Sequence, residues 1–360
     1  MTERVISSLE QVTTDWLTTV LAHSGALTRG TVAAVEVDAG QGNWSTSGRL
    51  RPRYRDDAQG DLPQSLFLKL VDTDAGDGEY FGSSEVSYYT HDYLGVTDAP
   101  LLRCYDGCFS KTLQRYHLLL EDVSQTHVEA TEKTPTLSYG LALAEGLAAL
   151  HAHWWGARRL ADANTPFHEA GHIRRFMAIA EPGAGHILEQ LATDLKPHWP
   201  DAIHDLFSRH PQALIARTQN ANGFTLIHGD VGQTNILVPR AADRPLYIID
   251  RQPFDWSLTT WLGVYDLVYA IVLDWEVEAR RSLEIPVLRH YHEQLVQHGV
   301  QGYTWEQLFD DYRLCAATSV AVAVEYCRGG IIERQQHIWL PMLQRALTAC
   351  DDLHCADMWR

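Results

Sequence analysis

Lysine is nearly missing from this chain. Of 29 basic residues only four are lysines, Lys69, Lys111, Lys133 and Lys196, and 46 acids bring the formal net charge to −17. Such a balance repels nucleic-acid phosphates and argues against a nucleic-acid partner. It suits a cationic small molecule, although solubility alone also explains an acidic surface. Long apolar runs are missing too. None approaches the ~20 residues that span a bilayer, so no membrane partner is expected. The opening stretch MTERVISSLEQVTTDWL has no basic segment ahead of an apolar core, which predicts a cytosolic protein rather than a secreted one. Cysteines are few. Cys104, Cys108, Cys315, Cys327, Cys350 and Cys355 match no zinc spacing, and a chain of 360 residues has no need of disulfides. At 45% hydrophobic and 21% charged, the rest is ordinary globular composition, long enough for two or three lobes with real cores.

Residues 5–24 carry apolar side chains at roughly helical spacing, with a break near Thr13 and Thr14. Strands are predicted at 31–37, 49–54 and 65–71, with the glycine-bearing stretch 38–48 between the first two. A helix is expected over 84–94, then strands at 101–105 and 112–120. From Thr136 the pattern turns helical. The segment 134–156 is apolar on all sides, with Pro135 suited to a first turn, and should be buried. Further helices are expected at 165–180, 183–195 and 199–219, short strands at 224–227, 236–238 and 246–250, and helices near 263–274, 276–299, 304–327 and 332–351. The order predicts an α+β chain. A small antiparallel sheet with one main helix occupies 1–122, a larger mostly helical part occupies 123–360, and the seam lies at about 122–135.

The stretch FTLIHGDVGQTNILV, Phe224 to Val238, sets polar residues between two greasy runs. The runs read as paired strands, and Gly229 and Gly232 permit a tight backbone between them. A loop held by strands is a rigid mount for chemistry. Asp230 is placed to accept a hydroxyl proton. Asn235 and Asp250, the latter ending the strand YIID, offer hard oxygens of the kind Mg²⁺ prefers. Closing a turn is the bland role for Asp230 and Asn235. Three features elsewhere share the purpose. The glycines Gly40, Gly42 and Gly48 could bring backbone N–H groups over phosphate oxygens. Lys69 sits mid-strand with Phe67 on its face, while Leu68 and Leu70 face the other way. Glu85, on the helix of the first part, could pair with Lys69.

These residues resemble the aminoglycoside-phosphotransferase group of small-molecule kinases, which has a bilobal protein-kinase-like fold. The resemblance is carried by H-G-D-x-x-x-x-N followed by I-I-D, here HGDVGQTN and YIID. It extends to GQGNWSTSGRLRPRY as a phosphate-loop hairpin, FLKL, SSEVSYY, LLLEDV as the hinge, LAALHA and WLGVYDLVYAI. The likeness is greatest to the ecdysteroid-kinase and choline-kinase-like branch. It implies ATP and Mg²⁺ as cofactors and an alcohol as acceptor. Asp230 would then be the catalytic base, and Asn235 and Asp250 would hold Mg²⁺. Lys69, held by Glu85, would meet the α- and β-phosphates. Backbone groups of Glu121 to Val123 would read adenine. His228 would brace the loop, and Asp266 would anchor it. Two departures stand out. Arg251 follows Asp250 where relatives often carry Trp or Phe, and the phosphate turn lacks the protein-kinase glycine pattern, which leaves Asn43, Ser45 or Thr46 to contact phosphate.

The acceptor is expected between Asp230 and the helices after Asp250. Acids there are Asp255, Asp274, Glu276, Glu278 and Glu325; aromatics include Trp256, Trp261, Trp275, Tyr326 and Trp339. A charged helix surface with buried tryptophans explains them too, but acids with tryptophans can bind an amine or quaternary ammonium, which mildly favours an aminoglycoside, aminosugar or amino alcohol over a neutral sugar, nucleoside or steroid alcohol. A nucleotide-binding pseudokinase acting as a regulatory partner is the alternative from another class.

Overall fold

The structure is a computed structural model that describes residues 5–41, 45–76, 79–80, 82–156, 160, 169–241 and 244–359. The expected break at Thr13 is real. A short 3-10 turn, Leu9–Gln11, precedes helix α1 (Thr14–His23), whose N-cap Thr13 accepts a hydrogen bond from the Trp16 amide.

Next come strands β1 (Leu27–Arg29), β2 (Val32–Gln41), β3 (Ser45–Tyr54), β4 (Gln59–Gly60), β5 (Leu66–Asp72), β6 (Asp74–Gly76) and β7 (Glu79–Tyr80). Helix α2 (Ser84–Ser87) runs straight into a π-helical turn, Tyr88–Asp92, and β8 (Cys104–Ser110) and β9 (Arg115–Glu121) complete the region. The main sheet is five-stranded and antiparallel, in the order β2-β3-β5-β9-β8. The two-residue period of β5 decides its faces. Leu66, Leu68 and Leu70 pack in one cluster with Leu17, Val20 and Leu21 of α1. Val71, on the opposite face, joins Val86 and Tyr88 in the main core. Lys69 shares that second face, directly opposite Ser47 of β3.

The remainder is mostly helical: β10 (His127–Glu129), α3 (Leu137–His153), α4 (Ala170–Leu191), α5 (Trp199–Arg217), β11 (Phe224–Leu226), β12 (Ile236–Pro239), β13 (Tyr247–Ile248), β14 (Thr260–Leu262), α6 (Val264–Val268) continuing as a π-helical turn Tyr269–Asp274, then α7 (Val277–Gln297), α8 (Trp305–Glu325) and α9 (Gln336–Asp352). Helix α3 starts later than expected. Thr136 caps it by accepting from the Tyr139 amide, so Pro135 lies outside the helix. Two expected helices at 165–180 and 183–195 are one, α4, which carries Pro182 in its interior. Next to it, a Cβ on Gly183 would stand 1.9 Å from the Val324 carbonyl oxygen, so this glycine lets α4 lie against the backbone of α8.

The strands flanking HGDVGQTN do not pair with each other, contrary to expectation. β11 pairs with β14, and β12 lies between β10 and β13. The loop therefore spans two separate small sheets. Both sheets bury their apolar residues in the same core, which the alternation alone could not distinguish.

Candidate active site

The loop starts where β11 ends. Its backbone is held from below by Asp266 of α6, whose carboxylate is fully buried. Oδ2 accepts the His228 N–H at 2.7 Å and Oδ1 the Gly229 N–H at 2.8 Å. Oδ2 also meets His151 Nε2 at 3.1 Å, and His151 Nδ1 meets the Tyr291 hydroxyl at 2.8 Å. Burial pushes the Asp266 carboxyl up, but His151, His228 and the Gly229 N–H outweigh it and hold the group below the usual carboxylate range. His228 is buried, which lowers its pKa, and its Nε2 bonds the Ile249 carbonyl at 2.8 Å. It thus ties the loop to the residue before Asp250 and braces it from within.

Beyond the brace Asp230 stands exposed. Asn235 reaches back to it, donating from Nδ2 to the Asp230 carbonyl at 2.9 Å and to its Oδ2 at 3.0 Å. That use of the amide N–H₂ leaves the Asn235 side-chain oxygen as an acceptor. The Asn235 carbonyl accepts the Ile249 N–H at 2.9 Å, and Ile236 pairs with Ile248, so Asn235 lies beside the end of the strand that delivers Asp250. Asp250 has a left-handed backbone, φ 64°, and a side chain 40% exposed. A turn of this kind costs energy for a non-glycine residue and re-aims its side chain. Here the carboxylate is aimed at Lys69, with which it forms an ion pair.

Lys69 lies between two acids. Its ammonium meets Glu85 Oε1 at 2.8 Å and Oε2 at 2.9 Å as well as Asp250. Burial pulls the lysine down, but Glu85 and Asp250 more than compensate, and its pKa ends above the usual value. Burial holds Glu85 above the usual carboxylate range despite Lys69, whereas Asp250, beside the same ammonium, ends below it. Glu85 is further held by the Tyr116 hydroxyl and by Gln252 Nε2 at 3.0 Å. Neither Tyr116 nor Gln252 was among the sequence candidates, because nothing in their local pattern separates them from a strand aromatic and a loop amide. Arg251, flagged as a departure, is buried and donates from Nε to the Ile227 carbonyl at 2.9 Å and from Nη1 to Ser84. It clamps the chain after Asp250 to the start of the loop and to the helix of Glu85.

The other candidates are less closely gathered. Ser45 begins β3, and its neighbour Ser47 is paired with Lys69. Gly42 and Asn43 lie outside the described residues. Gly40 is part of β2, and a Cβ on Gly48 would stand 2.8 Å from Leu9, so Gly48 serves packing. Glu121 ends β9 and Val123 is buried just beyond it. Between them Asp122 Oδ2 accepts from Arg49 Nε at 2.7 Å and from Ser65 Oγ at 2.5 Å, which fixes the crossing.

A hollow of about 180 Å³ opens beside Asp230. Of the acids and aromatics named in advance, Glu325, Trp256 and Tyr326 line it. Trp261, Trp275 and Trp339 are core residues, Asp255 pairs with Arg175 at 2.8 Å, and Glu278 pairs with Arg281 at 2.8 Å. Asp274 and Glu276 line a second hollow of about 210 Å³ on the far side of Gln233. Tyr269, which the sequence reading missed, places its hydroxyl against Asp230 from the π-helical turn.

This is a bilobal protein-kinase-like fold, an antiparallel sheet with its helix followed by a helical part, and its structural neighbours are small-molecule kinases. They include a choline kinase from Cryptosporidium parvum Iowa II (TM-score 0.54, 10% identity, covering 96% of this chain and 95% of that one). An APH(2")-IIia solved with GDP and kanamycin gives 0.52 at 14% identity, covering 95% and 99%. Glucosamine kinase gives 0.51 at 13%, covering 96% and 99%. At such identities the likeness is one of fold. No protein-family model matches the sequence, and no curated protein matches it.

Proposed function

We propose that the chain is an ATP- and Mg²⁺-dependent phosphotransferase acting on a hydroxyl of a small molecule. The observation that carries the reading is the meeting of Lys69, Glu85 and Asp250 in one ion-paired cluster, with Asn235 joined both to Asp230 and to the strand of Asp250. Residues 1–122 then serve as the nucleotide lobe and 123–360 as the catalytic and acceptor lobe. Lys69 binds the α- and β-phosphates with Glu85 fixing its head. Ser45 covers the phosphates, and the backbone at Glu121 and Val123 holds adenine.

Asn235 and Asp250 supply two hard oxygens, a donor set that fits Mg²⁺, an ion that takes its remaining ligands from phosphates and water. Bound there, the ion would neutralise charge on the β- and γ-phosphate oxygens. The acceptor oxygen bonds to the γ-phosphorus while the bond from that phosphorus to the β–γ bridging oxygen breaks. Its proton passes to the Asp230 carboxylate, giving a phosphate monoester and ADP. Positioning and charge neutralisation are most of what this chemistry requires.

The test is incubation of the full chain with Mg·ATP and pooled small alcohols, with mass spectrometry for phosphate esters. Ester formation by the wild type that Asp230→Asn abolishes, with ATP binding retained, is the expected result. Nucleotide binding with no ester from any pool would favour the pseudokinase alternative.

A further inference from the structure

The hollow beside Asp230 is small, and aromatic and aliphatic side chains make up much of its wall, with Gln252, Ser257 and tyrosine hydroxyls among them. At about 180 Å³ it is close to the ~150 Å³ of a dry apolar cavity that admits one benzene ring. Phe254 and Trp256 form one wall, stacked at 5.2 Å and 9° between planes, with Phe176 tilted against Trp256 at 6.4 Å. Ala321 and Val322 of α8 form another. Two carboxylates reach it. One is Asp230, which the reaction uses. The other is Glu325, whose Oε1 is already paired with Arg328 Nη1 at 3.0 Å. The guanidinium of Arg328 also lies 5.9 Å over the Trp256 ring, so that aromatic face already has a cation near it.

We infer that the acceptor is a neutral, largely apolar alcohol built on one ring, whose hydroxyl reaches Asp230 while its ring lies against the Phe254–Trp256 wall. The inference rests on the kinase reading above and narrows it, turning away from the amine-bearing acceptors that the acidic composition favoured. A polycationic aminosugar would find, apart from Asp230, only one carboxylate for its ammonium groups, and that one is already paired with Arg328. An apolar ring gains by burial against the aromatic wall.

The experiment uses the full chain with a non-hydrolysable Mg·ATP analogue and three probes: 2-phenylethanol, choline and kanamycin. Binding is read by ligand-observed NMR, and phosphate-ester formation is then read with ATP. Val322→Phe, in which a partly exposed wall residue is enlarged, fills the hollow; circular dichroism and nucleotide affinity report its folding separately. The expected result is binding of 2-phenylethanol at least tenfold tighter than choline or kanamycin, lost in Val322→Phe with nucleotide affinity unchanged. Equal or tighter binding of choline or kanamycin overturns the inference, as does 2-phenylethanol binding that Val322→Phe leaves intact. Binding of 2-phenylethanol at this wall without any ester supports the chemical class of the ligand and removes the kinase reading instead.

Discussion

Asp274 Oδ2 accepts the backbone N–H of Gln233 at 2.7 Å, pinning the middle of the HGDVGQTN loop to the end of the π-helical turn. The loop is therefore held at two points, by Asp266 at its start and by Asp274 three residues beyond Asp230. The two anchors differ in charge state. Asp266 is held low, whereas burial pushes the Asp274 carboxyl up to about 7, against the opposing pull of the Gln233 N–H and Arg345 and with some reinforcement from Asp230.

That difference gives a pH signature. A carboxyl raised in the folded state contributes most below the ordinary carboxylate pKa, and its contribution is lost as pH rises through about 7. Asp274→Asn keeps an acceptor for Gln233 and cannot ionise. Its melting temperature relative to wild type should therefore climb between pH 5.5 and 8.5, corresponding to about 1–2 kcal/mol. Thermal scans of both proteins across that range check it. A pH-independent difference would mean Asp274 is an ordinary ionised anchor.

Lys69→Met leaves Glu85, about 1% exposed, without its countercharge. Breaking a buried pair on one side costs about 3–5 kcal/mol. Because Glu85 is already raised by burial, losing the ammonium raises it further, and protonation then relieves the cost at low pH. Urea denaturation should thus show a larger deficit at pH 8 than at pH 5.5. Equal deficits would indicate that packing of the lysine stem, not charge, is what was lost.

Much of this cluster was legible because it puts unusual residues in unusual places. A lysine amid Leu68 and Leu70 in a chain with four lysines, and a carboxylate ending YIID, both stand out before any fold is known. The pairing of β11 with β14 did not stand out, since short buried strands look alike whichever partner they take. Nor did Gln252 or Tyr269, which matter only because the chain turns sharply at Asp250 and widens into a π-helical turn at 269. Such turns leave no periodic trace. The single helix α4 did not stand out either: two helices were expected at 165–180 and 183–195, but α4 runs through Pro182 and lies closely against α8.

That packing makes two neighbouring glycines behave oppositely. A Cβ at Gly183 collides with the Val324 carbonyl, whereas one at Gly185 meets nothing within 4 Å. Gly185→Ala should stabilise by up to about 1 kcal/mol through helix propensity. Gly183→Ala should destabilise by at least about 1–3 kcal/mol, since backbone must move. Chemical denaturation of the two variants decides the matter. A neutral Gly183→Ala would mean α4 and α8 do not touch there.

Asp266 offers the sharpest separation of loop order from the proposed nucleotide binding. Asp266→Asn retains one oxygen for two backbone donors, the N–H groups of His228 and Gly229, so one of them is orphaned in a buried site. The replaced oxygen becomes a donor facing donors. The expected cost is about 1–3 kcal/mol of stability for the unmatched group. Amide exchange at His228 and Gly229 should quicken well before the protein unfolds globally, because only the loop has lost its anchor. On the proposed reading, phosphoryl transfer should fall through kcat, as Asp230 loses its fixed position, while affinity for Mg·ATP, which that reading assigns to Lys69 and Asp250, changes less than twofold. Exchange at the loop unchanged from wild type, with kcat intact, would show that His228 and its bond to the Ile249 carbonyl suffice to hold the loop alone.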